Sequence, residues 1–168
     1  MTVAAPTVPF RIGHGYDLHR LQPGPRLVLA GIAVSEDVRP VSHSDGDVVL
    51  HAIVDALLGA IGQGDIGELF PNTDPRWKDA PSRVFVEEAY DRVRKAGYVV
   101  GNADVTILAE RPKLKSFKPA MADAVAGMLH VSRDQVNVKA GTNEGCDAIG
   151  RGEAIAAHAV VLLVASGA

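Results

Sequence analysis

The sequence predicts an α+β fold, a single domain with a mostly antiparallel or mixed sheet of four to five strands and three helices packed on one face. Three observations carry this. Segments of period-2 alternation and of 3.6-residue periodicity follow one another in the order β-β-α-α-β-α-β-β, which favours helices gathered on one sheet face. The strand segments are rich in valine, a residue suited to a pleated, half-buried surface. Between Asp47 and Ile61 every side chain is aliphatic or alanine except Asp47, His51, Asp55 and Gly59, each four residues after the last. A step of four advances about 40° around a helix, so the three polar groups share one narrow sector of an otherwise apolar helix. Such a helix is buried, and its polar stripe needs a partner.

Taken in order, residues 1–9 read as a loosely attached tail of Ala, Thr and Pro, and residues 10–168 as the domain. From Phe10 to His19 the chain alternates, with Ile12, His14, Tyr16 and Leu18 on one face and Arg11, Gly13, Gly15, Asp17 and His19 on the other. Glycine in a strand marks the close approach of a ligand or of another backbone. Residues 26–34 form a second strand after the Pro23-Gly24-Pro25 turn. Ser44 is the expected N-cap of the central helix, with Asp47 at the capping-box position and glycines 59, 62 and 64 near its end. A loop at residues 64–75 holds Asp65, Asp74 and the apolar pair Leu69-Phe70. Ser82 is the expected cap of an amphipathic helix running to Ala96, with Val86, Ala89, Tyr90 and Val93 inward and Gly97 as its stop. Residues 98–109 form a strand broken by Pro112, residues 119–130 a helix with Pro119 in its first turn, and residues 136–140 and 153–164 the last strands.

The chain has 168 residues, 47% hydrophobic and 22% charged, the profile of a soluble globular domain with a sizeable core. A formal net charge of −3 gives no electrostatic case for nucleic acid or anionic membrane, although a metal ion can supply positive charge for phosphate chemistry. Cys146 is the only cysteine, which excludes an intrachain disulfide and a cysteine-built zinc site. The first ten residues do not read as a signal peptide, and the apolar run 154–165 is too short to span a bilayer, so the expected location is the cytoplasm.

On their own, Asp47 reads as a capping carboxylate and His51 as a hydrogen-bonded core histidine. Asp17 and His19 change the balance, because strand alternation puts them on one face. With His51 they make two imidazoles and one carboxylate, the donor set of a catalytic zinc site with an open fourth position. Asp47 and Asp55 are then candidates to accept a ligand imidazole N–H. His43 and Ser44 at a helix start fit an anion site or a simple cap. Glu144 fits a hard cation such as Mg²⁺, and Arg151 a phosphate fork, unless both are solvated surface charges.

Arg11-Ile12-Gly13-His14-Gly15-Tyr16-Asp17-Leu18-His19, His43-Ser44-Asp45-Gly46-Asp47 with His51, Gly64-Asp65-Ile66-Gly67 with Phe70-Pro71, Pro112-Lys113, Val136-Asn137-Val138-Lys139-Ala140 and Gly150-Arg151-Gly152-Glu153 together resemble one family, the 2-C-methyl-D-erythritol 2,4-cyclodiphosphate synthases of the non-mevalonate isoprenoid pathway. The resemblance runs in order from Arg11 to about Leu163. It implies zinc, or another divalent transition metal, on Asp17, His19 and His51. It implies that His43 and Ser44 hold the substrate's phosphates, that Glu144 binds a second ion, Mg²⁺ or Mn²⁺, at the diphosphate, and that Thr142 lies close to the reacting phosphates. Asp65 and Gly67 would contact substrate, with Asn72 and Asp74 of the same loop and Arg151. Ala109, Lys113, Leu114, Ala140 and Thr142 would form the nucleotide pocket. The family is a homotrimer with sites between subunits and a central apolar cavity. Asn72 stands where Asp is commoner, Cys146-Asp147-Ala148 where a Leu-Gly-Phe run is common, and Gly141 where a small hydroxyl residue is usual.

The implied reaction is metal-assisted intramolecular phosphoryl transfer. The 2-phosphate of 4-diphosphocytidyl-2-C-methyl-D-erythritol 2-phosphate attacks the β-phosphorus, closing the cyclic diphosphate and releasing CMP. Two other classes fit the residues less well: a metal-dependent phosphohydrolase, whose commonest paired His/Asp folds are all-helical, and a non-catalytic nucleotide-binding module on the same scaffold.

Overall fold

The computed structural model describes residues 9–167. Seven strands and five α-helices run in the order β1 (Phe10–Pro23), β2 (Leu27–Leu29), β3 (Ile32–Ser35), β4 (Val38–Pro40), α1 (Val48–Ala60), α2 (Ile66–Leu69), α3 (Arg83–Lys95), β5 (Tyr98–Leu108), α4 (Lys118–Leu129), β6 (Val136–Gly141), α5 (Asp147–Gly150) and β7 (Ala154–Ala165). The main sheet is mixed and five-stranded, in the order β4-β1-β7-β5-β6, and β2 pairs only with β3. All its pairings are antiparallel except β5 with β6, and α4 supplies the crossover that a parallel pair requires. The predicted α+β class and the three long helices on one face are both found. The tail expected at residues 1–9 lies outside the described residues except for Pro9, whose carbonyl accepts the Ala165 N–H at 2.9 Å.

Helix α1 lies across β1 and β7, with α3 against α1 and α4 against β6, and one continuous apolar core fills the space between them. In α1 only Asp55 and Gly59 are not buried. The helix sits directly on the backbone of β1. A Cβ at Gly13 would lie 1.8 Å from the carbonyl oxygen of Ala56, and one at Gly15 would lie 1.9 Å from that of Ala52. The two glycines therefore admit another backbone, one of the two approaches expected of them.

Four expectations are corrected. The segment 26–34 is not one strand. It turns at Ala30 and Gly31, both in the left-handed region with φ of 53° and 78°, and forms the β2–β3 hairpin. The N-cap of α1 is Asp47 and not Ser44, and its carboxylate accepts the Val49 and Leu50 N–H groups at 3.1 Å. The same carboxylate takes the Ala30 N–H at 2.9 Å and the Gly31 N–H at 2.7 Å, so the helix start and the hairpin turn share one anchor. Ser82 occupies the cap position of α3 without capping it, because its hydroxyl is engaged elsewhere. The chain also forms β4, α2 and α5, too short for any periodicity to signal.

The second face of the sheet carries Ile12, Tyr16, Leu18 and Val160, exposed by 66%, 46%, 45% and 42%. His14 Nε2 lies 3.1 Å from His158 Nδ1 on that face, and the Tyr16 ring packs on His158. Among the described residues no helix is long and apolar enough to cross a membrane.

Because the Gly15 position is closed by backbone and not by a flexible side chain, Gly15→Ala is expected to lower unfolding stability by about 3 kcal/mol or more, as severe overpacking does. Urea denaturation measures this, and a loss under about 1 kcal/mol would show that α1 can lift off the strand without cost.

Candidate metal centre

Strand β1 delivers Asp17 and His19 to one end of the sheet, on the side covered by α1, and the first turns of that helix bring His51 over them. Asp17 Oδ2 is 2.9 Å from His51 Nδ1 and 3.0 Å from His19 Nδ1. One ligand atom from each residue lies within 4.8 Å of the other two, the one such grouping of three among the described residues. His19 Nδ1 is buried and makes no hydrogen bond in spite of its nearness to Asp17. A buried, unpartnered nitrogen beside a carboxylate and a second imidazole fits a divalent metal ion with an open coordination position.

This set forms the floor of a cleft of about 250 Å³ whose walls include Ser42, His43, Ser44, Gly67, Asn72 and Trp77. His43 Nε2 is buried without a hydrogen-bond partner among the described residues. Phe70, Trp77 and Phe85 pack edge-to-face and tilted into one aromatic wall, with centroids 4.4 to 5.7 Å apart. Two expected members of this cleft are used otherwise. Asp65 caps α2 through the Glu68 N–H at 2.9 Å, and Asp74 caps a 3₁₀ turn at residues 75–77 and pairs with Arg76.

A second cleft of about 280 Å³ opens at the ends of β5 and β6 and is lined by Ala109, Lys113, Leu114, Ala140, Gly141 and Thr142, with Lys115 and Lys118 nearby. It contains all five residues expected for the nucleotide and shares no lining residue with the first. Glu144 is exposed and accepts the Thr142 hydroxyl at 2.7 Å. Arg151 forks onto Glu153, two bonds of 3.0 Å, so its guanidinium is spent on a neighbouring carboxylate.

The expected acceptors for the ligand imidazole, Asp47 and Asp55, do not reach it. Asp47 is wholly buried, and this burial pushes its carboxyl up to about 6 in spite of the four backbone N–H groups aimed at it. Asp55 takes the Ile66 N–H at 2.8 Å and is raised by burial and by the charge of Asp65. The groups at His51 Nε2 are instead Ser82 Oγ at 2.8 Å and Ser44 Oγ at 3.1 Å. Ser82 in turn hydrogen-bonds Asp45 through its hydroxyl and, at 2.9 Å, through its backbone N–H. Neither Ser82 nor Asp45 was recognisable as part of the site, because serine before a helix and aspartate in a glycine turn are both commonplace.

The chain matches the YgbB family over residues 10–164. A 2-C-methyl-D-erythritol 2,4-cyclodiphosphate synthase of Actinobacillus succinogenes is 52% identical over 154 residues, covering 92% of this chain and 98% of that one. The bifunctional IspDF of Campylobacter jejuni superposes with a TM-score of 0.90 at 42% identity over 93% of this chain, which spans 42% of that longer protein. IspF of Plasmodium falciparum, solved as a CDP complex, superposes with a TM-score of 0.83 at 34% identity and covers 94% of this chain and 97% of its own.

Burial alone would raise the Asp17 carboxyl, but the ring nitrogens of His19 and His51 and their charges outweigh it and hold the group well below the usual carboxylate range. A depressed native value means that the stability it contributes is complete above the unfolded value of about 3.9 and is lost as pH falls below it. Metal-free protein should therefore lose stability more steeply than Asp17→Asn between about pH 5 and pH 2, read as urea midpoints. Parallel curves would show that the two imidazoles do not hold this carboxylate.

Proposed function

We infer that this chain, which belongs to the YgbB family, acts as a 2-C-methyl-D-erythritol 2,4-cyclodiphosphate synthase of the non-mevalonate isoprenoid pathway. The observation that carries the reading is the convergence of Asp17, His19 and His51 at the floor of a cleft walled by His43 and Ser44. The reaction is that of a CMP-releasing, cyclising phosphorus–oxygen lyase. A 2-phosphate oxygen forms a bond to the β-phosphorus of the cytidine diphosphate substrate, and the bond from that phosphorus to the bridging oxygen breaks, so that CMP leaves with the oxygen.

The nucleophile is already an anion, so the protein needs no strong base, and the site's task is to orient two phosphates in line and offset their charge. When bound at Asp17, His19 and His51, a zinc ion supplies Lewis-acid charge to a phosphate oxygen. The imidazole of His43 and the hydroxyl of Ser44 are placed to hold phosphate oxygens, with Gly67 and Asn72 bounding the methylerythritol. Asp65, Asp74 and Arg151 are also assigned to substrate, although each has a protein partner of its own. Glu144 and Thr142 are the residues for a second ion, Mg²⁺ or Mn²⁺, at the diphosphate. Ala109, Lys113, Leu114 and Ala140 receive the cytidine nucleotide, a role supported by the CDP complex of the Plasmodium falciparum relative.

The metal cleft and the nucleotide cleft are separate on one chain, and the uncovered sheet face exposes Ile12, Tyr16, Leu18 and Val160. Both features support a homotrimer in which neighbouring chains bring the two clefts together. We place the chain in the cytoplasm on this reading, while plant relatives of the same name are chloroplastic.

Asp17→Asn, His19→Ala and His51→Ala are each expected to lower zinc content and reduce CMP release to the level of chelator-treated protein. Metal analysis and product identification by phosphorus NMR check this. Full activity in all three variants, or linear hydrolysis products from the wild type, would overturn the reading.

A further inference from the structure

Three acceptor atoms point at one spot in the metal centre, and a neutral imidazole can present a lone pair there only in one tautomer. His51 faces Asp17 and His19 with Nδ1, so Nδ1 is the nitrogen that must lack hydrogen when an ion is held. Its hydrogen must then sit on Nε2 and needs an acceptor. The local chemistry supplies one. Ser82 is fully buried, and its Oγ lies 2.8 Å from Nε2. A hydroxyl has a single hydrogen, and that of Ser82 goes to Asp45 Oδ1, since a carboxylate accepts and does not donate. Toward His51, Ser82 Oγ is therefore left with lone pairs only.

Asp45 cannot swing away. Its Oδ2 takes the Ser82 N–H at 2.9 Å, its Oδ1 takes the Asp47 N–H at 3.2 Å, and its own N–H donates to the Ala80 carbonyl at 3.2 Å. Asp45 thus ties the loop before α1 to the start of α3, and the Ser82 hydroxyl, which does not cap its own helix, is oriented by a carboxylate thirty-seven residues away. We propose that Ser82, oriented by Asp45, is a positioning residue that holds His51 in the Nε2–H tautomer and so aims the Nδ1 lone pair at the ion shared with Asp17 and His19. The proposal rests on those three residues being the metal ligands. Ser44 Oγ, at 3.1 Å from the same nitrogen, is the weaker acceptor because it is farther and its hydroxyl is not committed to a carboxylate. Groups in this position around a metal-bound histidine raise ligand basicity and fix ring orientation, and their removal commonly weakens metal binding.

The test uses full-length Ser82→Ala, Ser82→Thr and Asp45→Asn. Zinc affinity is read by competition with a chromogenic chelator, and the His51 Nε2–H by its proton–nitrogen NMR signal and solvent-exchange rate in ¹⁵N-histidine-labelled, zinc-loaded protein, with His51→Ala identifying the signal. Ser82→Ala should bind zinc about 10- to 100-fold more weakly and exchange its His51 Nε2–H with solvent faster when zinc-loaded, while Ser82→Thr retains both properties. Asp45→Asn should move both readouts in the same direction and serves alone if Ser82→Ala does not fold. Wild-type affinity together with an unchanged Nε2–H exchange rate in a folded Ser82→Ala, or failing that in Asp45→Asn, would overturn the proposal. Weaker zinc binding with an unchanged Nε2–H signal would also do so. A wild-type protein that binds zinc but releases no CMP would sink the enzymatic reading and leave these measurements standing.

Discussion

The contact of α1 with the backbone of β1 sets every distance in the metal centre. Strand and helix meet without side chains between them at Gly13 and Gly15, and the next residues along the strand in the same orientation are Asp17 and His19. The helix reaches those residues with the turn that carries His51. Any separation by even one methyl group would tilt or lift the helix and carry His51 with it. The geometry is held at its other end by Asp47, whose carboxylate gathers two N–H groups from α1 and two from the β2–β3 turn. A helix that rigid gives a metal site ligands whose rotamers are settled by packing before any ion arrives.

Charge within the cleft is arranged in pairs. Asp17 lies between two imidazoles, Asp45 lies behind the Ser82 hydroxyl, and Asp47 faces only backbone N–H groups. Three aspartates within one small region therefore do not repel one another into disorder, because each has a separate set of donors. The chain's mild net negative charge is no obstacle to phosphate chemistry on such a plan, since lysines line the second cleft and the first holds a donor set that fits a metal ion.

Much of this was legible in the sequence, and the reason is periodicity. The polar stripe at every fourth residue of α1 and the alternation of β1 located His51, Asp17 and His19, and those periods survive into the structure because both elements are long and pressed together. Wholly local features were harder. The turn at Ala30-Gly31 carries no strong turn residue pair, so the hairpin read as one strand, and Ser44 looked as good a cap as Asp47. What no pattern could show is a pairing across distance. Asp45 with Ser82 depends on how the loop after β4 folds against the start of α3, and two ordinary polar residues give no sign of meeting. The same holds for Asp65, Asp74 and Arg151, whose carboxylate or guanidinium found a partner within three residues.

The bare face of the sheet bears on what kind of assembly the chain tolerates. One rim is blunt, since β6 is short and carries Lys139, which is ion-paired to Asp104; at the other, β4 covers only Leu21–Pro23 of β1, and Phe10–Arg20 has a strand partner on its β7 side alone. Strand addition is therefore disfavoured at the β6 rim, whereas the β1 rim offers a long stretch of backbone with no strand beside it among the described residues. The exposed Ile12, Tyr16 and Leu18 stand on that same open strand, so one flank of the molecule gathers both its bare side chains and its unclad backbone and has the most to gain from being covered.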